Sequence, residues 1–177
     1  MDIRYLKGVG EKRAAQLTRL GIRTVDDLLG FYPRDYVDYS HPYPVAGAPY
    51  DVKCVVRATV YGKNGGARIR GGRQMAKATA GDDTAGLILT YFNNPYALQK
   101  LEVGREYLFF GKVGGTFTAR EMVNPVMLTV ESAAASPLVP VYPQTEGVSS
   151  AYLAKCVRAA FAAAPDIEEP LPAALIE

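Results

Sequence analysis

The sequence predicts a mainly β chain with flanking helices, centred on a small five-stranded barrel. Three observations predict it. From about residue 51 to 130, β-branched and aromatic runs alternate with polar residues and are separated by glycine. Helical spacing appears only at the two ends and in one short stretch after the third run. At 177 residues, 49% of them apolar, the chain is long enough to bury a core and too apolar for wholesale disorder.

Taken in order, residues 1 to about 50 read as helical and then irregular. Ala14, Leu17 and Leu20 recur at helical spacing, and Gly21 stands where a helix C-terminus takes glycine. Thr24 is an N-cap for TVDDLLGFY, since its hydroxyl accepts an orphan amide and Asp26 and Asp27 suit the positive helix end. Pro33, Pro42, Pro44 and Pro49 forbid a long helix after that, so this stretch is expected to be an ordered strap.

In DVKCVVRATVYGK, Cys54, Val56, Ala58 and Val60 form an apolar face, with Lys53, Val55, Arg57, Thr59 and Tyr61 opposite. A glycine-rich turn, GKNGGARIRGG, leads to a second strand with Ala76, Ala78 and Ala80 inward. AGLILTYFN is a third strand. NPYALQKL follows as a short helix with Asn94 capping and Pro95 first. EYLFFGKVGG and TFTAREMVNPVM form a closing hairpin around Gly114 and Gly115. ESAAASPLVPVYPQTEG reads as extended. Ser149 or Ser150 then caps a helix with Tyr152, Leu153, Val157, Ala160 and Phe161 along its apolar stripe.

Five strands with a short helix between the third and fourth is the order of an oligonucleotide-binding (OB) barrel; an SH3-like barrel is the alternative. The expected division is 1–50, 51–130 and 131–177: a helical hairpin with its strap, the barrel, and a linker with a helix.

Charge is local rather than global. The net charge is only +2, yet Lys53 to Lys77 holds seven basic residues and no acidic one, whereas seven acidic residues face two basic ones from Glu121 onward. Arg57, Lys63, Arg68, Arg70, Arg73 and Lys77 are therefore candidate phosphate contacts, against the alternative of a merely solvated face. Phe92 and Tyr96, four apart across the strand-to-helix corner, are candidates for stacking on unpaired bases; buried packing explains the same letters. LKGVGEKRA has the shape of a helix-hairpin-helix turn. Gly8 and Gly10 would let amides approach a phosphate there, with Lys7, Lys12 and Arg13 adding charge; a simple packing turn is the alternative.

Catalytic equipment is missing. The chain has no GxxxxGK[ST] loop, no paired carboxylates, no metal constellation, and a single histidine, His41, in the strap. Cys54 and Cys156 are too isolated for a disulfide framework. No apolar run reaches the roughly 18 residues of a membrane span, and the start is not a signal peptide. A reduced, cytoplasmic binding module without cofactor, metal or membrane is expected.

Three segments in order, LKGVGEKRAAQLTRLGIRTVDDLLGFYPRDYVDYS, LTYFNNPYALQKLEVGREYLFFGKV and LVPVYPQTEGVSSAYL, resemble the N-terminal region of the RecG family of ATP-dependent DNA helicases. The resemblance implies a wedge domain at about 50–130 that binds replication forks, Holliday junctions and single-stranded DNA and splits strands during fork reversal and recombinational repair. It implies two wedge aromatics stacking on bases, carried over to Phe92 and Tyr96, with Tyr91 as rival for Phe92. It also implies a monomer associated with the bacterial nucleoid. Motor domains using ATP and magnesium would follow Glu177, making this chain a fragment without enzymatic activity of its own. Asp35 and Tyr39 stand where the family commonly has more arginine, which argues against a DNA contact from the strap. Two other readings remain: a free-standing OB-fold protein that coats single strands, and a protein-interaction barrel.

Overall fold

The computed structural model describes residues 1–68, 74–116 and 119–163. Its elements are α1 (Glu11–Thr18), α2 (Val25–Leu29), β1 (Asp35–Asp38), β2 (Lys53–Arg68), β3 (Gln74–Gly81), β4 (Gly86–Phe92), α3 (Pro95–Lys100), β5 (Glu106–Gly115), β6 (Arg120–Val123), β7 (Val126–Thr129), α4 (Val130–Ala135), β8 (Leu138–Val141) and α5 (Ser150–Ala163). They divide into two units, one from Asp38–Val139 and one from Met1–Val37 with the chain from Pro140 onward. The expected three-part division separated the two chain ends, which share one unit, and counted the strap with the first of them.

In the 38–139 unit the strand order is β2-β3-β4-β6-β5, with β2 pairing back to β5 to close a barrel. All pairings are antiparallel except β4 with β6. This is the expected OB barrel. The alternation read from the sequence is borne out: Val56, Ala58, Val60, Ala76, Ala78 and Ala80 lie in the core with Leu87, Leu89, Phe109 and Met122. Small alanines on β3 leave room for the larger rings opposite, which suits close packing in a narrow barrel.

Four details differ from expectation. β2 runs on through Gly62 to Arg68, pairing with β3 across two register shifts, because glycine accommodates bulges. The fifth run is broken into β6 and β7, since Asn124 takes a left-handed φ of 47° and Pro125 has no N–H for a ladder. Beyond that break β7 pairs with the opposite end of β5. Residues Val130–Ala135 are helical rather than extended, capped by the Thr129 hydroxyl accepting the Ser132 N–H at 3.2 Å.

The strap closes one end of the barrel. Val45 and Ala48 enter the core, and Tyr43 pairs with β2 through Tyr43 N–H to Val55 O at 2.8 Å. Arg120, buried on β6, donates to Ala48 O at 2.7 Å and Ala46 O at 2.6 Å, with its guanidinium over the Tyr50 ring. Asp82 accepts the Val45 N–H at 2.8 Å.

In the other unit, α1, α2 and α5 bury Leu17, Ile22, Leu28, Leu153 and Ala160 together. Thr24 and Asp27 form a reciprocal capping box, as the Thr24 cap requires. Ser149 rather than Ser150 caps α5, accepting the Tyr152 N–H at 3.3 Å; Ser150 instead donates to Pro140 O at 3.1 Å. On α5 Leu153, Ala154, Cys156 and Ala160 are buried, whereas Phe161, which the predicted stripe included, is exposed.

Candidate nucleic-acid interface

The corner between β4 and α3 carries the aromatic candidates. Along β4, Leu87, Leu89 and Tyr91 point into the barrel, so Ile88, Thr90 and Phe92 lie on the opposite side, where Thr90 is itself buried and bonded to Glu121. Phe92 is half-buried at the strand end, where its register partner on β3 is Met75. Its backbone N–H donates to Asn124 Oδ1 at 2.8 Å. Asn93 then turns the chain in a left-handed conformation, φ 53°, and Pro95 begins α3. Asn94 holds the N-cap position, but its side chain makes no capping hydrogen bond, a departure from expectation. Tyr96 projects from the first turn with 68% of its surface exposed.

Tyr91 has a different environment. It is 3% exposed within the barrel core, and burial pushes its phenol up to about 12. A ring packed on the inner face offers no π-surface to a base, so Tyr91 is withdrawn as a stacking candidate. Its position follows from strand parity: adjacent residues on β4 face opposite sides.

Among the described residues, Arg57, Lys63 and Lys77 do not share one face. Lys63 Nζ donates to Leu101 O at 2.7 Å and Leu98 O at 3.3 Å, neutralising the carbonyl end of α3. That ammonium is engaged and is removed from the phosphate candidates. Arg57 lies on the outer wall of β2 beside Asp82, Glu106 and the strap, away from the Phe92 corner. Lys77 is on β3 near Phe92 and sits 3.7 Å from the Glu121 carboxylate, which also accepts the Thr90 hydroxyl. Arg68 is described only through its backbone pairing with Gln74, and Arg70 and Arg73 lie outside the described residues. Lys100, missed by the sequence reading, flanks Tyr96 in a depression of about 170 Å³ with Asn94 and Met127. Its i, i+4 spacing from Tyr96 on α3 was the available signal.

At the hairpin turn, Gly8 has φ +91° and Gly10 is the N-cap of α1. Lys12 is exposed on the first turn. Arg13 is spoken for within the fold: it donates to Gly147 O, and its guanidinium lies 4.6 Å above the Tyr152 ring. The Tyr152 hydroxyl donates in turn to Gly8 O at 3.0 Å. His41 is almost fully exposed, 3.6 Å from Asp38. Among the described residues no three His, Cys, Asp or Glu side chains converge on one point, and no helix is long and apolar enough to cross a membrane.

A family model for the RecG wedge domain matches residues 2–164. The chain belongs to the RecG wedge family. The ATP-dependent DNA helicase RecG of Escherichia coli K12 is 34% identical over 157 residues, which cover 85% of this chain and 22% of that protein. RecG of Thermotoga maritima is 31% identical over 160 residues, 87% of this chain and 20% of that protein. RecG of Streptococcus pneumoniae aligns with 99% of this chain at 28% identity, over 26% of its own length. A solved structure of RecG bound to a three-way DNA junction superimposes with a TM-score of 0.83 at 26% identity, covering 99% of this chain and 25% of that one. The chain thus spans about a quarter or less of the RecG proteins it matches, and that portion is the wedge.

Proposed function

We propose that this RecG wedge splits DNA strands at branch points, with Phe92 and Tyr96 as the rings that replace lost base stacking. The observation that carries the reading is the corner itself: Phe92 is half-buried on the outer side of the end of β4, and Tyr96, four residues on, is exposed. An open base pair loses a stacking neighbour, and an aromatic ring restores roughly 1–3 kcal/mol per base. Lys77 and Lys100 flank the two rings and supply sequence-independent attraction to phosphate. Replication forks and Holliday junctions are the substrates in this reading, encountered in the bacterial cytoplasm during fork reversal and recombinational repair. The parent protein would be an ATP-dependent helicase whose motors use ATP and magnesium to draw duplex past the wedge, which itself performs no chemistry.

Fluorescence anisotropy with labelled fork, duplex and single strand tests this. Phe92→Ala with Tyr96→Ala is expected to weaken fork binding about tenfold or more while changing duplex binding less than threefold. Equal loss on both substrates would overturn the reading. A preference of the unaltered chain for single strands over forks would favour a strand-coating protein instead.

A further inference from the structure

On the outer side of the strand that ends in Phe92, a polar row crosses three strands. Lys77 on β3 stands directly opposite Thr90 on β4, and the Glu121 side chain reaches both from β6. Thr90 is 1% exposed, and its hydroxyl donates to Glu121 Oε1. The same oxygen lies 3.7 Å from Lys77 Nζ, with the two charged side chains 31% and 39% exposed. Across the ladder from Glu121 on β5 is Gly114, which has no side chain to compete for the carboxylate, and Lys112 pairs with Asp51 instead. Among the described residues, Lys77 is therefore the one ion-pair partner of Glu121. Met75 with Phe92 is the next register pair on this side, so Lys77 lies two residues, about 7 Å along the strand, from the Phe92 row.

A carboxylate in that place works against phosphate binding, since it repels the anion and occupies a cation the anion needs. We infer that Glu121 is a positioning residue for Lys77: it holds the ammonium beside the Phe92 corner while no DNA is bound and takes it back when a phosphate leaves. The buried Thr90 hydroxyl fixes the direction of the carboxylate, so the alternative partner is always in place. On release, Lys77 exchanges phosphate for Glu121 rather than standing uncompensated, which lowers the cost of letting go. An obstacle past which duplex is drawn has to release phosphates repeatedly, and a tighter contact would hold it back. The inference rests on Lys77 touching phosphate in the strand-splitting reading above and adds the device that sets how long that contact lasts. An ion pair of this exposure is worth only a few-fold in affinity, enough to tune release and too little to hold the fold together.

A double-mutant cycle between Glu121 and Lys77 tests this, read by anisotropy across a salt series and by competitor-chased dissociation of labelled fork and labelled duplex. Glu121→Gln keeps an acceptor for the Thr90 hydroxyl and removes the charge. It is expected to tighten both DNAs about two- to fivefold, chiefly through slower dissociation, with the salt slope unchanged. In a Lys77→Ala background the same substitution is expected to change affinity by less than about 1.5-fold. Thr90→Val, which frees the carboxylate to turn away, is expected to tighten binding by a smaller factor, and it carries the same comparison if Glu121→Gln does not fold. Equal tightening with and without Lys77 would mean that Glu121 simply repels DNA, and it overturns the inference. So does no tightening, or a salt slope that rises by about 0.9 in Glu121→Gln, the mark of a phosphate that Lys77 never touched in the original chain. The cycle is read on duplex as well as fork, so it fails independently of whether Phe92→Ala with Tyr96→Ala abolishes fork preference.

Discussion

Asn124 Oδ1 accepts the backbone N–H of Phe92 at 2.8 Å, and the Asn124 N–H donates to Thr90 O at 2.7 Å. One residue, at the break between β6 and β7, thus sets where β4 ends and how its last ring stands. Asn124 also has φ 47°, a conformation that asparagine and glycine tolerate better than other residues.

Two substitutions there separate the roles. Asn124→Gly keeps the backbone conformation and loses the side-chain acceptor, so stability is expected to fall by about 1 kcal/mol and fork preference to weaken. Asn124→Ala adds the left-handed strain, a further cost of about 1 kcal/mol. Urea unfolding measures the difference, and anisotropy shows whether fork preference falls equally in both.

Arg120 is buried and satisfies the carbonyls of Ala46 and Ala48. Arg120→Met leaves both acceptors unpaired at the barrel end, for an expected loss on the order of 2–4 kcal/mol in urea unfolding. Lysine in the same place recovers only part, because one ammonium cannot reproduce the guanidinium fork. In either variant, the ratio of fork to duplex affinity is expected to stay unchanged where the protein remains folded.

Lys63 and Lys77 differ in what their ammonium groups touch. Lys63→Ala uncaps α3 and is expected to lower thermal stability while leaving the salt dependence of DNA binding as it was. Lys77→Ala is expected to reduce the salt slope by about 0.7–0.9 with little effect on melting temperature. The reverse pattern would exchange their roles.

Asp82 ties the strap to the β3–β4 turn. Burial raises its pKa, but hydrogen bonds from the Thr84 hydroxyl and the Val45, Thr84 and Ala85 amides outweigh that and hold it below 3.8, the ordinary value. A carboxyl lowered in the folded state stabilises above its unfolded pKa and loses that contribution as pH falls through the folded value. Asp82→Asn is therefore expected to melt lower than the original at neutral pH. The two melting temperatures should converge as pH falls from about 5 to about 2. A constant gap across that range would remove ionisation from the explanation.

The sequence by itself determined the barrel, its inward faces and the corner. Period-two alternation in Cys54–Val60 and Ala76–Ala80, and the YFNNPY turn, are local signals, and the local backbone obeys them. The family motifs were legible for the same reason: they are contiguous. Strand parity also contained the burial of Tyr91, once the inward register of Leu87 and Leu89 was counted through.

Only the tertiary structure decided which cations share a surface. Lys63 bonds to carbonyls 35 and 38 residues away, and Arg120 reaches across 72 and 74 residues to the strap. Lys53 meets Lys112 only because β2 closes against β5. Charge acts through space, so neighbours in a basic stretch are sent to different walls of the barrel, and partners far apart in the chain are brought face to face.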